Sequence, residues 1–284
     1  MHTAVFAALL LLVGQADNNR DDDKGLVDAW LKVSLDHAKA YQITSQGRSD
    51  APFRLLSNPI FRHSQPVRGD DIGAVYLWLQ DDGRPAVIGT VFAFSAGGGA
   101  RWVAHEMHSL CDQRLTARWE QKTIWAPNRK GIQWQSISKA PSPAETSAQR
   151  LIQMRTLARR FQATSTEVGG NTWQLRLIPN PVYRNDQKRS STTLDGAVFL
   201  FCQGTDPEII LLLEARTKDS QKEYQWQCSF AAFSDYSLRA ELDGAEIWKV
   251  DTYPDHPNTD PHWWDGQFRL TRLSDVKATD EDSE

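Results

Sequence analysis

Gly73-Ala74-Val75-Tyr76-Leu77-Trp78-Leu79-Gln80 and Gly196-Ala197-Val198-Phe199-Leu200-Phe201-Cys202-Gln203 decide how this chain folds. Each begins with Gly-Ala-Val, ends with Gln and is apolar at every position between, without the alternation of a half-solvated strand. Such a run, bounded by turn residues, reads as a strand covered on both faces. Asp81-Asp82-Gly83-Arg84-Pro85 follows the first and Gly204-Thr205-Asp206-Pro207 the second, with Gly for positive φ and Pro to end the turn. Val87 to Phe94 and Ile209 to Ala215 then return as partner strands.

The two octapeptides lie 123 residues apart and are one of four collinear matches. Arg54-Leu55-Leu56-Ser57-Asn58-Pro59-Ile60-Phe61-Arg62 matches Arg176-Leu177-Ile178-Pro179-Asn180-Pro181-Val182-Tyr183-Arg184 at an offset of 122, with five of nine residues identical. Leu115 to Trp125 matches Leu238 to Trp248 at 123, and Tyr41 to Ser45 matches Phe161 to Ser165 at 120. Nearly constant spacing over four collinear blocks is the mark of an internal duplication whose unit is a whole domain or half-barrel.

Ahead of each set of strands stands a segment with apolar residues at helical spacing. These are Leu26 to Tyr41, with Trp30, Leu31 and Ala38, and Ala148 to Phe161, with Leu151, Met154, Leu157 and Ala158. Thr146 or Ser147 can cap the second helix. Asp243-Gly244 predicts a tight hairpin. The expected fold class is therefore α+β: two tandem homologous units, each a helix followed by an antiparallel β-meander of about six strands. The expected division is a first unit over 25–138, a linker over 139–147, a second unit over 148–252, and a Pro- and Trp-containing, acidic C-terminal tail over 253–284. The pattern does not decide whether the meanders form separate sheets or one shared sandwich.

The chain has 284 residues, 40% of them hydrophobic, enough for real cores. With 32 Lys+Arg against 36 Asp+Glu, the net charge of -4 offers no basic field for nucleic acid. Ala4 to Val13 is an apolar run too short to span a bilayer; with Gly14-Gln15-Ala16 behind it, it reads as a signal peptide over 1–16, ahead of a flexible leader over 17–24. No transmembrane segment is expected in the mature chain, and the expected location is periplasmic or extracellular.

The two Arg-Leu-x-x-Asn-Pro blocks, the run from Gly196 to Glu208, and Gln153-Met154-Arg155-Thr156-Leu157-Ala158-Arg159-Arg160-Phe161 resemble a family of uncharacterised secreted proteins of planctomycete bacteria. The resemblance covers about 25–252, and Gln203-Gly204-Thr205-Asp206-Pro207-Glu208 is its most specific part. It implies export and the unit boundaries, and carries no catalytic residue across.

His105-Glu106-Met107-His108 holds the strongest metal-like pattern, but its His spacing is i, i+3 where a zincin helix needs i, i+4. On a strand, Glu106 and His108 would share one face and His105 the other, leaving a third ligand to come from Glu120 or His63. His105, Glu106 and His108 are thus weak metal candidates. Asp255-His256-Pro257 with Asp260-Pro261-His262 reads as polar loop, and Ser95 to Ala100 as a hairpin loop without the Lys of a phosphate loop. Cys202 is expected to be inert and could pair with Cys228 if their strands adjoin, leaving Cys111 free. Of eleven Trp, Trp125 and Trp248 recur in both units and are expected in the cores, whereas Trp119, Trp263 and Trp264 are the candidates for ligand contact.

No nucleophile, base or cofactor motif emerges. The leading reading is an exported, non-catalytic interaction or ligand-binding protein whose partner is a protein, a glycan or a small molecule. The alternative is an exported hydrolase, with or without a metal, whose site at the junction of the units draws on His105, Glu106, His108 or Asp112. N-terminal sequencing of protein from the native host is expected to begin near Asp17; Met1 retained in a cytosolic fraction would contradict export.

Overall fold

A computed structural model of the chain describes residues 27–45, 51–65, 71–97, 100–185, 192–217, 223–252 and 257–272. The expected signal peptide and leader, Asp255-His256, Gly98-Gly99 and the acidic end lie outside the described residues. Two helices and nineteen strands are described, and every strand pairing is antiparallel. The first half holds α1 (27–39), β1 (Tyr41–Ser45), β2 (Arg54–Leu55), β3 (Phe61–Gln65), β4 (Asp71–Leu79), β5 (Pro85–Gly97), β6 (Ala100–Ser109), β7 (Leu115–Trp119), β8 (Lys122–Trp125) and β9 (Gln135–Ser136). The second holds α2 (Ser147–Ala158), β10 (Phe161–Thr166), β11 (Thr172–Gln174), β12 (Arg176–Leu177), β13 (Tyr183–Asn185), β14 (Thr193–Gln203), β15 (Asp206–Thr217), β16 (Tyr224–Ala232), β17 (Ser237–Leu242) and β18 (Ala245–Val250). β19 (His262–Arg272) follows.

This corrects the α+β expectation: the protein is mostly β, and neither half is a helix followed by one meander. The strand after each helix leaves its neighbours and joins the last hairpin of its half, giving the small sheets β1-β7-β8 and β11-β10-β17-β18. The long strands form two large sheets, β2-β4-β5-β6-β19 with β3 also on β4, and β12-β14-β15-β16-β9 with β13 also on β14. The cause is patterning. β1 and β10 bury alternate residues only, Tyr41 and Ile43 in one and Phe161, Ala163 and Ser165 in the other, so they suit an outer sheet with one wet face.

β4, β5, β14 and β15 are inner strands because they bury both faces, with a period of two. On β4, Ala74, Tyr76 and Trp78 face the core of the first half, while Val75, Leu77 and Leu79 face a central core. On β14, Ala197, Phe199 and Phe201 face the core of the second half, while Val198, Leu200 and Cys202 face the same central core. The two large sheets therefore pack on each other through that core, and each carries a helix and a small sheet on its outer side. Trp30, Val33 and Ala38 of α1 and Met154, Leu157 and Ala158 of α2 form the inward stripes.

The same residue pairings recur in both halves. Arg54 opposes Leu79 as Arg176 opposes Cys202; His63 opposes Gly73 as Asn185 opposes Gly196; Tyr41 opposes Trp119 as Phe161 opposes Leu242. Asn58-Pro59 interrupts the edge in a defined way: Leu56 N–H donates to the Leu77 carbonyl and Ile60 N–H to that of Val75, so the three residues Ser57 to Pro59 stand against Tyr76 alone. Asn180-Pro181 does the same between Ile178 and Val182. The fifth strands cross over. β9, which follows the first half, pairs with β16 of the second, and β19, which follows the second, pairs with β6 of the first.

The three thiols are free and buried. Cys202 and Cys228 do not pair because β15 lies between their strands and they face different cores. The expected hairpin at Asp243-Gly244 has positive φ at both residues, 51° and 83°. Asp195 is buried beneath α2, where Arg150 Nε and Arg184 Nη2 each donate to its Oδ2 at 2.7 Å.

Trp125 is fully buried, stacks 6.3 Å from Trp263 and donates its Nε1–H to the Asp260 carbonyl at 2.7 Å. Trp248 packs beside the other outer core and is only half-buried. In thermal melts Trp125→Ala is expected to cost about 3–5 kcal/mol and Trp248→Ala distinctly less. Equal losses would mean that the two rings carry the same packing role.

Candidate functional site

β6 separates the residues of the expected metal pattern. His105 faces the first half's outer core with Val103 and Met107, and both its ring nitrogens are engaged, Nε2 with His37 Nδ1 at 2.8 Å and Nδ1 with the Tyr41 hydroxyl at 2.5 Å. Glu106 and His108 are on the opposite face: His262 Nε2 meets Glu106 Oε1 at 2.5 Å, and the His108 and His262 rings stack at 5.9 Å. Among the described residues there is no group of three or more His, Cys, Asp or Glu that could hold a metal ion. Glu120 lies in the β7–β8 turn and His63 elsewhere, on β3. Of the three candidate contact tryptophans, Trp119 and Trp263 are 7% and 6% exposed in the first half's core, so they are not surface platforms. Trp264 is half-buried and lines a cavity.

That cavity, about 640 Å³, is lined from both large sheets. The first sheet supplies His63, Asp71, Thr90, Phe92, Glu106 and Trp264; the second supplies Asp206, Glu208 and the segment Phe233 to Tyr236, with Glu167 and Val168 at the β10–β11 hairpin tip. The inner faces that are apolar in mid-sheet turn polar at this end. Along β5, Ile88 in the central core gives way to Thr90, and along β6 Glu106 takes the same side as His108. Six carboxylates and His63 line the cleft, and its described lining contains no Lys or Arg.

His63 sits at the back of the cleft, its side chain 4% exposed. It lies directly over Gly73, its cross-strand neighbour; a Cβ there would stand 1.9 Å from His63 Nε2, so only glycine leaves room for the ring. The Thr90 hydroxyl donates to the Ala74 carbonyl at 3.4 Å, which leaves His63 Nε2–H to donate to Thr90 Oγ1 at 3.3 Å. His63 Nδ1 is then an acceptor. It has no hydrogen-bond partner and lies 3.5 Å from another acceptor, Asp206 Oδ1. Burial holds this imidazole at about 4, so near neutral pH the ring brings no second proton.

The matching pairings place a counterpart of this cleft at the opposite corner of the sandwich. Ala93 opposes Val103 as Ala215 opposes Trp226, so Phe92 and Phe94 correspond to Glu214 and Arg216. Asp265 opposes His105 as Gln135 opposes Cys228, so Trp264 corresponds to Trp134. Leu79 and Cys202 oppose Pro85 and Pro207, so Asp206 corresponds to Arg84, and Asp235 to Asp112 by the 123-residue offset. There the corner is filled. Arg216 lies 4.6 Å above the Trp134 ring, donates to Glu214 Oε2 at 2.6 Å and stands 3.9 Å from Asp112, and the remaining cavity is about 70 Å³. Burial raises the pKa of Glu214, against the opposing pull of Arg216 and Arg84.

No protein-family model, curated protein or solved structure matches this chain. No helix of the described residues is long and apolar enough to cross a membrane. In the sequence, Asp206 reads as turn chemistry and Thr90 carries no signal at all. The usable signal is difference between aligned blocks: Thr90 against Leu212, Glu106 against Ser229 and Asp206 against Arg84.

Burial holds His262 at about 4 and His108 at about 3, alongside His63 at about 4. Between about pH 6.5 and 4 the unfolded chain takes up protons on these rings and the folded protein does not, so their contribution to stability is intact above about pH 6.5 and falls on acidification. Each ring contributes at most about 1.4 kcal/mol per pH unit. Urea titrations across this range are expected to show a shallower loss for His63→Gln than for the parent; an unchanged slope would mean that His63 titrates as an exposed ring.

Proposed function

We propose that this protein is an exported ligand-binding protein whose cleft takes a cationic ligand. The observation that carries the reading is the unlike pair of corners, one closed by its own arginines and the other open over 640 Å³, with six carboxylates and no Lys or Arg in its described lining. Carboxylates supply charge complementarity, and Phe92, Phe233, Tyr236 and Trp264 supply ring faces and apolar area. The Ala4 to Val13 run and the resemblance to secreted proteins support export. The recurrent pairings support descent of both halves from one ancestral unit.

A second reading, an exported hydrolase, has one observation in its favour: Thr90, His63 and Asp206 stand in the order hydroxyl, imidazole, carboxylate at the cleft wall. The hydrogen bonds run the wrong way for it. Thr90 gives its proton to Ala74, and the imidazole it would need as a base is already donating to it.

Spermidine, as a generic organic cation, is expected to bind saturably in calorimetry at low ionic strength, and more weakly in salt. Glu208→Gln with Asp206→Asn is expected to weaken binding about tenfold or more, while Asp112→Asn at the closed corner leaves it unchanged. Absence of saturable binding, or equal binding by the cleft variant, would contradict the proposal. Ester turnover lost in Thr90→Val would favour the hydrolase.

A further inference from the structure

We infer that the first half carries a separate site, between α1 and the β3–β4 pair, which binds a small carboxylate with an apolar body through Arg62. The inference does not rest on the cationic-ligand reading, since Arg62 is not among the residues lining the cleft.

The second half shows what this position of the fold does with an arginine. Arg184 on β13 opposes Ala197 as Arg62 on β3 opposes Ala74, so the two arginines are equivalent. Arg184 holds the Asp195 carboxylate side-on, Nε donating to Oδ1 at 3.1 Å and Nη2 to Oδ2 at 2.7 Å. Arg150 of α2 donates to the same Oδ2 at 2.7 Å, and the carboxylate between the two guanidinium groups is fully buried.

In the first half that carboxylate is missing. Ile72 opposes Ala93 as Asp195 opposes Ala215, so Ile72 stands where Asp195 does. Trp30 stands where Arg150 does, by the same 120-residue offset that relates Tyr41 to Phe161, and both side chains are buried. Arg62 is kept, but it is exposed and makes no hydrogen bond or ion pair with any described residue. An exposed arginine alone needs no explanation. This one shares the lining of a cavity of about 210 Å³ with the residues that replace its counterpart's partners, Ile72 and Trp30. Val27 and Leu31 complete the apolar wall, and Trp30 Nε1–H is buried without an acceptor.

These walls define the occupant. The described lining holds one Arg and no Lys, Asp or Glu, so a single negative charge complements it. The equivalent arginine takes a planar carboxylate through two parallel N–H bonds, the geometry in which a guanidinium fits this anion best. An apolar cavity of roughly 150 Å³ takes a benzene ring, so about 210 Å³ suits one aromatic ring on a short arm. The ligand class is therefore an arylalkanoate, its ring against Trp30, Leu31 and Ile72 and its carboxylate at Arg62.

The test is calorimetric titration of the protein with 3-phenylpropionate, its neutral amide and acetate. The aryl acid is expected to bind saturably and about tenfold or more tightly than the other two, because the amide lacks the charge and acetate the apolar body. Arg62→Gln is expected to bring the acid down to the affinity of the amide. Ile72→Asp, which restores the second half's carboxylate, is expected to remove acid binding by occupying Arg62 from within. Melts check both variants for folding, and if Ile72→Asp does not fold, Arg62→Gln decides alone. Acid and amide binding equally, acid binding unchanged in Arg62→Gln, or no saturable binding of the acid would each overturn the inference. None of these results touches spermidine binding in the cleft, so the two sites stand or fall separately.

Discussion

The contact of the two large sheets through one central core is the constraint on which the rest of this structure depends. Val75, Leu77 and Leu79 on one side and Val198, Leu200, Ile210 and Leu212 on the other are all buried there. Each of these strands also buries its opposite face against a helix and a small sheet, so every inner strand is committed twice. Removing apolar area from water at roughly 25 cal/mol per Å² makes such a doubly covered layer strongly favourable. Such packing also leaves little freedom for one sheet to slide over the other. The cleft is lined by residues of both these sheets, Thr90 and Glu106 from one and Asp206 and Glu208 from the other.

The two corners of the sandwich are chemically opposite solutions of one geometry. At one, Arg84 and Arg216 meet Glu214, Asp112 and a tryptophan face, and the space is nearly gone. At the other, carboxylates and a buried neutral histidine line an open cavity. A buried imidazole acceptor facing a carboxylate is an arrangement that stability alone would not select. Gly73 is part of the same device, since any side chain there would meet the His63 ring.

Much of the fold was legible. The unbroken apolar runs at Gly73 to Gln80 and Gly196 to Gln203 announced strands covered on both sides, and Asp243-Gly244 announced its hairpin. The helical stripes of Trp30 and Met154 were visible in their spacing. What could not be read was partnership. β19 joins β6 from about 160 residues away, and no local pattern in His262 to Arg272 says which edge it will cover. The same long-range pairing buries Trp263 and turns Trp264 to the cleft, an outcome set by strand parity after the pairing is known. The site was hidden for a further reason: attention to what the two halves share leads to core residues, while the cleft is written in positions where they differ.

Cys202, in the central core, and Cys228, in the second half's outer core, are native probes of this packing, each thiol pushed up to about 12 by burial. In a Cys111→Ser background, the rate of thiol labelling at increasing urea below the unfolding transition tests the central claim. If the sheets are one cooperative body, both thiols react only through global unfolding, with the same steep dependence on urea. If Cys202 labels faster than Cys228 and with a shallow dependence, the sheets part without unfolding, and the account of the central core and of the cleft it holds open is wrong.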